Sequence, residues 1–296
     1  MEFYIISYLL SIVFWIWMIR KYDKFEREPL RALLFIFVIG GLISSFPAGI
    51  FNSLFGYLIN FDFTKHGEVE HGMVKSVLFY GFVGINEEFC KALATVWLIR
   101  KSRDFNEPAD ALVYSMTLAF GFSLFENIDY TLRFGISSFF IRQFNAVPLH
   151  IGLAAIWGIG LAKAKFLHRG KYLATMAPYI LGAAFLHFVY NFAPKVIANP
   201  FLSLIVPIAI AFFLIRFALK KILQYAEDGP YSNQLYCRHC DTPNLLIARV
   251  CKNCGEKFHL EFYDLCENCN AKVDKEAKFC PNCGFQLKIE IEKIKQ

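Results

Sequence analysis

Seven stretches of the chain are long and apolar enough for a helix to cross a hydrocarbon layer, and no soluble core can hide that much apolar surface. They run approximately over residues 3–19, 32–59, 74–99, 110–132, 143–165, 172–193 and 200–219. A layer about 30 Å thick takes about 20 helical residues. Composition agrees: 56% of the 296 residues are hydrophobic and 17% aromatic, and the mean hydropathy is +0.40. Backbone in lipid must satisfy its own hydrogen bonds, so the expected fold is an all-α polytopic membrane bundle of about seven helices. Near residue 222 the text turns polar, charged and cysteine-rich. That shift predicts a membrane domain over 1–222, a linker over 223–234, a small β-rich double zinc-ribbon domain over 235–288 and a charged tail over 289–296.

The basic residues give an orientation. Arg20, Lys21, Lys24, Arg27 and Arg31 follow the first span, which has no basic flank before it and no small-residue cleavage site after it, so it reads as an anchor rather than a signal peptide. Arg100, Lys101 and Arg103 follow the third span, Lys163, Lys165, Arg169 and Lys171 the fifth, and Arg216, Lys220 and Lys221 the seventh. The alternate connections hold few: Lys65, Arg133, Arg142 and Lys195. Cytoplasmic loops are the basic ones, which predicts the N-terminus outside and the cysteine tail inside a cell membrane. The net charge of +6 is then accounted for by anionic lipid, without nucleic acid.

Eight of the nine cysteines form four CxxC pairs: Cys237/Cys240, Cys251/Cys254, Cys266/Cys269 and Cys280/Cys283. Each pair aims two thiolates at one point, and two pairs complete a closed tetrahedral site. In the cytoplasm thiols stay reduced, which favours zinc over a disulfide framework. Neighbouring pairs should share an ion, giving two structural Zn²⁺. A cytoplasmic protein is a candidate partner for the ribbons. His239 and His259 lie among the knuckles and read as surface residues.

Polar groups also stand where lipid should be. The third span carries Glu87, Glu88 and Lys91, the fourth Glu126 and Asn127, the fifth His150, and the sixth His187 and Asn191. A charge at the centre of a spanning helix costs about 3 kcal/mol, so the three glutamates and Lys91 would together cost roughly 12 kcal/mol if unpaired. They must face one another or water. Helical spacing supports one shared cavity: Gly81, Gly84, Glu87/Glu88, Lys91 and Ala94 form a stripe, with Phe82, Val83, Phe89, Cys90 and Trp97 left towards lipid. Ala146, His150, Ala154 and Gly158 align similarly, as do Ala184, His187 and Asn191. Lys91 can neutralise either glutamate one turn away. His66, Glu70 and His71 in a loop could bind metal weakly, although a solvated loop is the plainer reading.

Carboxylates beside imidazoles can activate water as a general base, with His187 and Asn191 donating to an oxyanion. They can equally hold a catalytic Zn²⁺ with an open position. The chain has no HExxH and no serine elbow, so both routes stay open.

These motifs resemble those of the PrsW family of intramembrane proteases, within the superfamily of CAAX prenyl proteases and bacteriocin-processing enzymes. EEFCK is similar to its EExxK motif, FSLFE with Asn127 to its FxxxEN region, and HFVYN to its third motif. YDKFEREP and NEPADAL extend the resemblance across the membrane part. It implies an endopeptidase cleaving membrane-associated proteins or peptides near the outer face. It also implies catalytic Glu87 and Glu88 completed by Glu126, His150, His187 and Asn191, with Lys91 and Asn127 in support. Relatives of the CAAX type end the second motif in histidine where this chain has Glu126, and tandem ribbons are not part of the usual family core. Two other classes suit parts of the chain: a proton-coupled transporter using the carboxylates as a relay, or an adaptor acting through its ribbons. The chain shows no internal repeat of the kind carriers carry. Metal analysis of the purified protein should find about two zinc ions in the tail, and Cys251→Ser should release one of them.

Overall fold

The computed structural model describes residues 2–61, 72–168 and 171–227, and in the tail 234–237, 239–240, 242–245, 250–257, 263–266, 268, 272–274, 279–280 and 284–286. His66, Glu70, His71, Arg169, His259, Cys269 and Cys283 lie outside the described residues.

The apolar runs are helical throughout. Helix α1 covers Glu2–Tyr22 and ends on Arg20 and Lys21. Helix α2 (Leu30–Phe35) continues through a π-helical turn (Ile36–Gly40) into α3 (Gly41–Leu58). Helices α4 (Gly72–Ile99), α5 (Pro108–Phe134), α6 (Ile136–Phe144), α7 (Ala146–Phe166), α8 (Tyr172–Val196) and α9 (Pro200–Glu227) follow. Among the described residues six runs are long and apolar enough to cross a membrane. Helix α4 has the length, at 28 residues, but Glu87, Glu88 and Lys91 break its apolar composition. The expected span over 143–165 is α7 (Ala146–Phe166) to within three residues; α6 is a separate short helix before it, ended at Asn145, whose side chain accepts the Ala146 N–H, and the apolar run as a whole covers Ile136–Phe166.

Helices α5 and α7 form the centre. From Pro108 to Leu124 every residue of α5 is buried, and α7 is almost wholly so. They pack on each other, α8 and α9 lie against α7, and α4 fits between α3 and α8. The outer faces carry exposed Phe46, Tyr57, Trp97, Leu132 and Phe213, an apolar exterior that only lipid covers without cost. The stripe on α4 is buried at Gly84, Glu87, Glu88, Lys91 and Ala94. Three positions differ from expectation. Val83 is buried, Cys90 is half-buried with its thiol donating to Asn86, and Gly81 faces open space.

Two glycines set how closely the helices approach. A Cβ at Gly121 of α5 would collide with the Phe37 carbonyl in the π-helical turn. A Cβ at Gly84 would lie 2.5 Å from the Ala184 carbonyl oxygen, so α4 and α8 touch backbone to backbone one turn from Glu88 and His187.

In the tail, β1 (Gln234–Tyr236) pairs antiparallel with β2 (Pro243–Leu245), and β3 (Tyr263–Leu265) with β4 (Lys272–Asp274). Cys237 and Cys266 follow the first strand of each pair. Cys251 and Cys280 sit in turns closed by the Val250–Lys257 and Phe279–Gln286 bridges. Gly255 and Gly284 hold φ of 73° and 68°, a left-handed conformation glycine takes freely, so their N–H groups reach Cys251 and Cys280 carbonyls at 2.9 and 2.7 Å. Gly84→Ala should push α4 from α8 and lower stability by about 1–3 kcal/mol, read as a fall in the thermal unfolding midpoint in detergent.

Candidate active site

The polar side chains of four helices meet at one point. On α4, Glu87 and Glu88 are adjacent and point to different partners. Glu88 is fully buried with both oxygens engaged: Oε1 accepts from Lys91 Nζ at 2.5 Å and lies 2.9 Å from His187 Nδ1, while Oε2 accepts from Trp157 Nε1 at 3.0 Å. Lys91, also fully buried, reaches His150 Nδ1 at 3.0 Å and lies over the Phe122 ring. The partner Lys91 takes is thus Glu88 at i+3.

Glu87 is different. Its Oε1 accepts from Asn52 Nδ2 on α3 at 3.0 Å, and Asn52 is itself held by Asn86 at 2.8 Å. Its Oε2 is buried with no hydrogen-bond partner among the described residues, 3.8 Å from His187 Nε2. One donor atom each from Glu87, His150 and His187 lie within 4.8 Å of one another. The two imidazoles meet edge to face with centroids 5.1 Å apart.

A second layer lies behind His150. Its Nε2 is 3.0 Å from Glu126 Oε2, and Arg142 Nη2 stands 2.7 Å from the same oxygen. Arg142 also donates through Nε to Asn127 Oδ1 at 2.5 Å and stacks 3.8 Å over the Tyr130 ring. Asn127 is fully buried. Asn191, one turn beyond His187 on α8, is half-buried and makes no hydrogen bond among the described residues. Glu87, Glu88, Lys91, Glu126, Asn127, His150 and His187 therefore converge, and Asn191 engages none of them among the described residues. Sequence reasoning missed Asn52, Trp157 and Arg142. Asn52 and Trp157 read as ordinary span residues, and Arg142 as a loop charge until α6 folds it inward.

In the tail, Cys237, Cys240, Cys251 and Cys254 bring their sulfurs within 4.8 Å of one another. The Cys237–Cys254, Cys240–Cys251 and Cys240–Cys254 separations are 3.6, 3.5 and 3.5 Å. A disulfide is about 2.05 Å long, whereas four thiolates at about 2.3 Å from zinc are spaced by about 3.8 Å. Backbone N–H groups of Cys254 and Asn253 point at Cys251 and favour its thiolate, the form a metal takes. Of the second set, Cys266 and Cys280 are buried.

A spanning bundle that holds carboxylates and imidazoles around a free carboxylate oxygen has the architecture of a hydrolase working within the membrane. The chain belongs to the PrsW family: residues 28–219 match the family described as PrsW family intramembrane metalloprotease. Residues 237–284 match the double zinc ribbon. Among curated relatives, Protease PrsW of Geobacillus kaustophilus (strain HTA426) is 30% identical over 169 residues, 57% of this chain and 69% of the relative. Protease PrsW of Clostridioides difficile (strain 630) is 30% identical over 200 residues, 60% of this chain and 76% of the relative. That of Bacillus subtilis (strain 168) is 25% identical over 177 residues, again 60% and 76%. No solved structure matches the chain. The protein is a multi-pass intramembrane endopeptidase with a double zinc ribbon in the same chain.

Lys91→Met should leave Glu88 as a buried charge without its cation and destabilise the domain by about 3–5 kcal/mol. Adding Glu88→Gln should restore much of that loss, so a thermodynamic cycle over the two positions should read strong coupling.

Proposed function

We propose that peptide bonds are hydrolysed at the Glu87–His150–His187 cluster and that Glu88, Lys91, Glu126, Asn127 and Asn191 serve it. The observation that carries this reading is the free Oε2 of Glu87. A buried acceptor without a donor costs about 1–3 kcal/mol, and this one is oriented from behind by Asn52. Glu87 is the group that takes a proton from the attacking water. Glu88 engages His187 Nδ1, which leaves Nε2 turned to the reacting side, where it and the uncommitted amide of Asn191 donate to the oxyanion. Glu126, neutralised by Arg142, fixes the ring of His150.

The donor set of one carboxylate and two imidazoles also fits a zinc ion, held by Glu87, His150 and His187 with a fourth position open. Bound there, the ion would acidify a water molecule and polarise the scissile carbonyl. His150 would exchange one of its two hydrogen bonds to serve as a ligand. The two Cys₄ sites of the tail are structural, each filled by zinc, with Cys269 and Cys283 completing the second.

The substrate is a membrane-associated protein or peptide entering from the outer face. The N-terminus lies outside and the ribbons inside the cell, in keeping with the basic loops after α1, α4, α7 and α9, and a cytoplasmic protein docks on the ribbons.

Glu87→Gln and His187→Ala should each lower cleavage by about 10²–10⁴-fold in a protein that still inserts and folds, measured by comparing protein termini in cells expressing each form. Full activity in either variant would remove the site assignment. Metal content separates the two routes: one zinc fewer in Glu87→Gln than in the parent supports the metal-bound water, and equal content supports the glutamate acting alone.

A further inference from the structure

A second buried acidic group lies at the other end of α5, about 24 Å along the helix from Glu126. Asp23 and Glu28, in the connection from α1 to α2, meet Glu107 and Asp110 at the start of α5, and all four are fully buried. Glu26 joins them from a half-buried position. One carboxylate oxygen each from Glu26, Glu107 and Asp110 lie within 4.8 Å of one another.

The local structure explains some of these carboxylates. Asp23 accepts the Glu28 N–H at 2.8 Å, Tyr114 donates to Glu28 Oε2, and Asp110 Oδ2 accepts the N–H groups of Asn106 and Glu107 at 2.7 Å each. It does not explain the rest. Glu107 caps α5, its side chain facing the Asp110 N–H in a capping box, yet neither carboxylate oxygen completes a hydrogen bond among the described residues. The Glu28 and Asp110 carboxyls lie close enough to share a proton, while Glu26 Oε2 and the Asn106 amide oxygen are buried without partners among the described residues. The nearby cations are engaged with backbone: Lys165 donates to the Phe105 carbonyl and Arg20 to the Glu28 carbonyl at 3.2 Å. Burial, with repulsion from Asp23, Glu26 and Glu28, pushes the Glu107 carboxyl up to about 9 when nothing compensates the group.

We propose that Glu26, Glu107 and Asp110 bind a hard divalent cation, of the Ca²⁺ or Mg²⁺ kind, that ties the α1–α2 connection to the start of α5. The donors are oxygen alone, which selects such ions over zinc. Half-buried Glu26 provides the way in, and Glu28 and Asn106 add further oxygens beside it. The site is separate from the peptidase cluster and from the cysteine tail, and its role is structural.

The test uses the full chain in detergent, titrated with Ca²⁺, Mg²⁺ and Mn²⁺ while thermal unfolding is followed, and with Tb³⁺, whose emission Tyr114 would sensitise. At least one of the three divalent cations should raise the unfolding midpoint saturably and quench the Tb³⁺ emission by competition. Glu26→Gln, on a half-exposed side chain, should weaken that response at least tenfold without impairing folding. Glu107→Gln should abolish it and unfold later than the parent in cation-free buffer, because it relieves repulsion. Glu87→Gln should respond as the parent does. No response of the parent to any of the three ions would overturn the proposal and leave protonated carboxyls as the account of the cluster. A response equally strong in Glu26→Gln and Glu107→Gln would overturn it too, by placing the ion elsewhere.

Discussion

The ion pair between Glu88 and Lys91 organises the membrane domain. Both groups are fully buried at 2.5 Å, where an uncompensated charge costs about 3 kcal/mol even on the lenient scale of membrane insertion. Each partner then draws in further groups. Glu88 takes Trp157 from α7 and His187 from α8, and Lys91 takes His150 from α7 and the ring of Phe122 from α5. One pair thus fixes four helices around a common point. Buried ion pairs are seldom more stabilising than apolar packing of the same volume. What this one supplies is position, since neither imidazole can turn without leaving a charge exposed to the core.

That arrangement separates the two adjacent glutamates chemically. Glu88 has both oxygens engaged, so it holds the site together. Glu87, one residue away and therefore rotated about 100° around the helix, keeps one oxygen free. The close approach at Gly84 makes the division workable, because α8 must lie against the α4 backbone for His187 to reach both glutamates. On the far side, α6 brings Arg142 beneath Glu126 and closes the cluster with a cation that hydropathy alone assigns to a loop.

How much of this was legible in the sequence follows from the range of each interaction. The helices, the apolar runs and the polar stripe on α4 could be read because periodicity and span length are local properties, although seven spans were expected where six among the described residues are apolar enough. The CxxC knuckles could be read because each is a turn of four residues with its own chemistry, and the bridges around Cys251 and Cys280 repeat that turn. The set Glu87, Glu88, Lys91, Glu126, His150 and His187 could be named because charges in lipid must meet. Asn52 and Trp157 could not, since an asparagine or tryptophan in a span is unremarkable until its partner is known. The burial of Val83 escaped the α4 stripe, since α4 packs on both α3 and α8 and one stripe accounts for one of them.

By itself the sequence determined that the chain lies in a membrane, that its helices hide a polar centre and that its tail is built for thiolate ligands, because hydropathy, desolvation and knuckle spacing act within a few turns of chain. Only the tertiary structure decided which glutamate stays free, which cation neutralises which carboxylate and that Glu26, Glu107 and Asp110 gather at the opposite end. Those outcomes depend on distances across helices that are remote in sequence, and a helix's own periodicity sets the direction of a side chain without fixing what it meets.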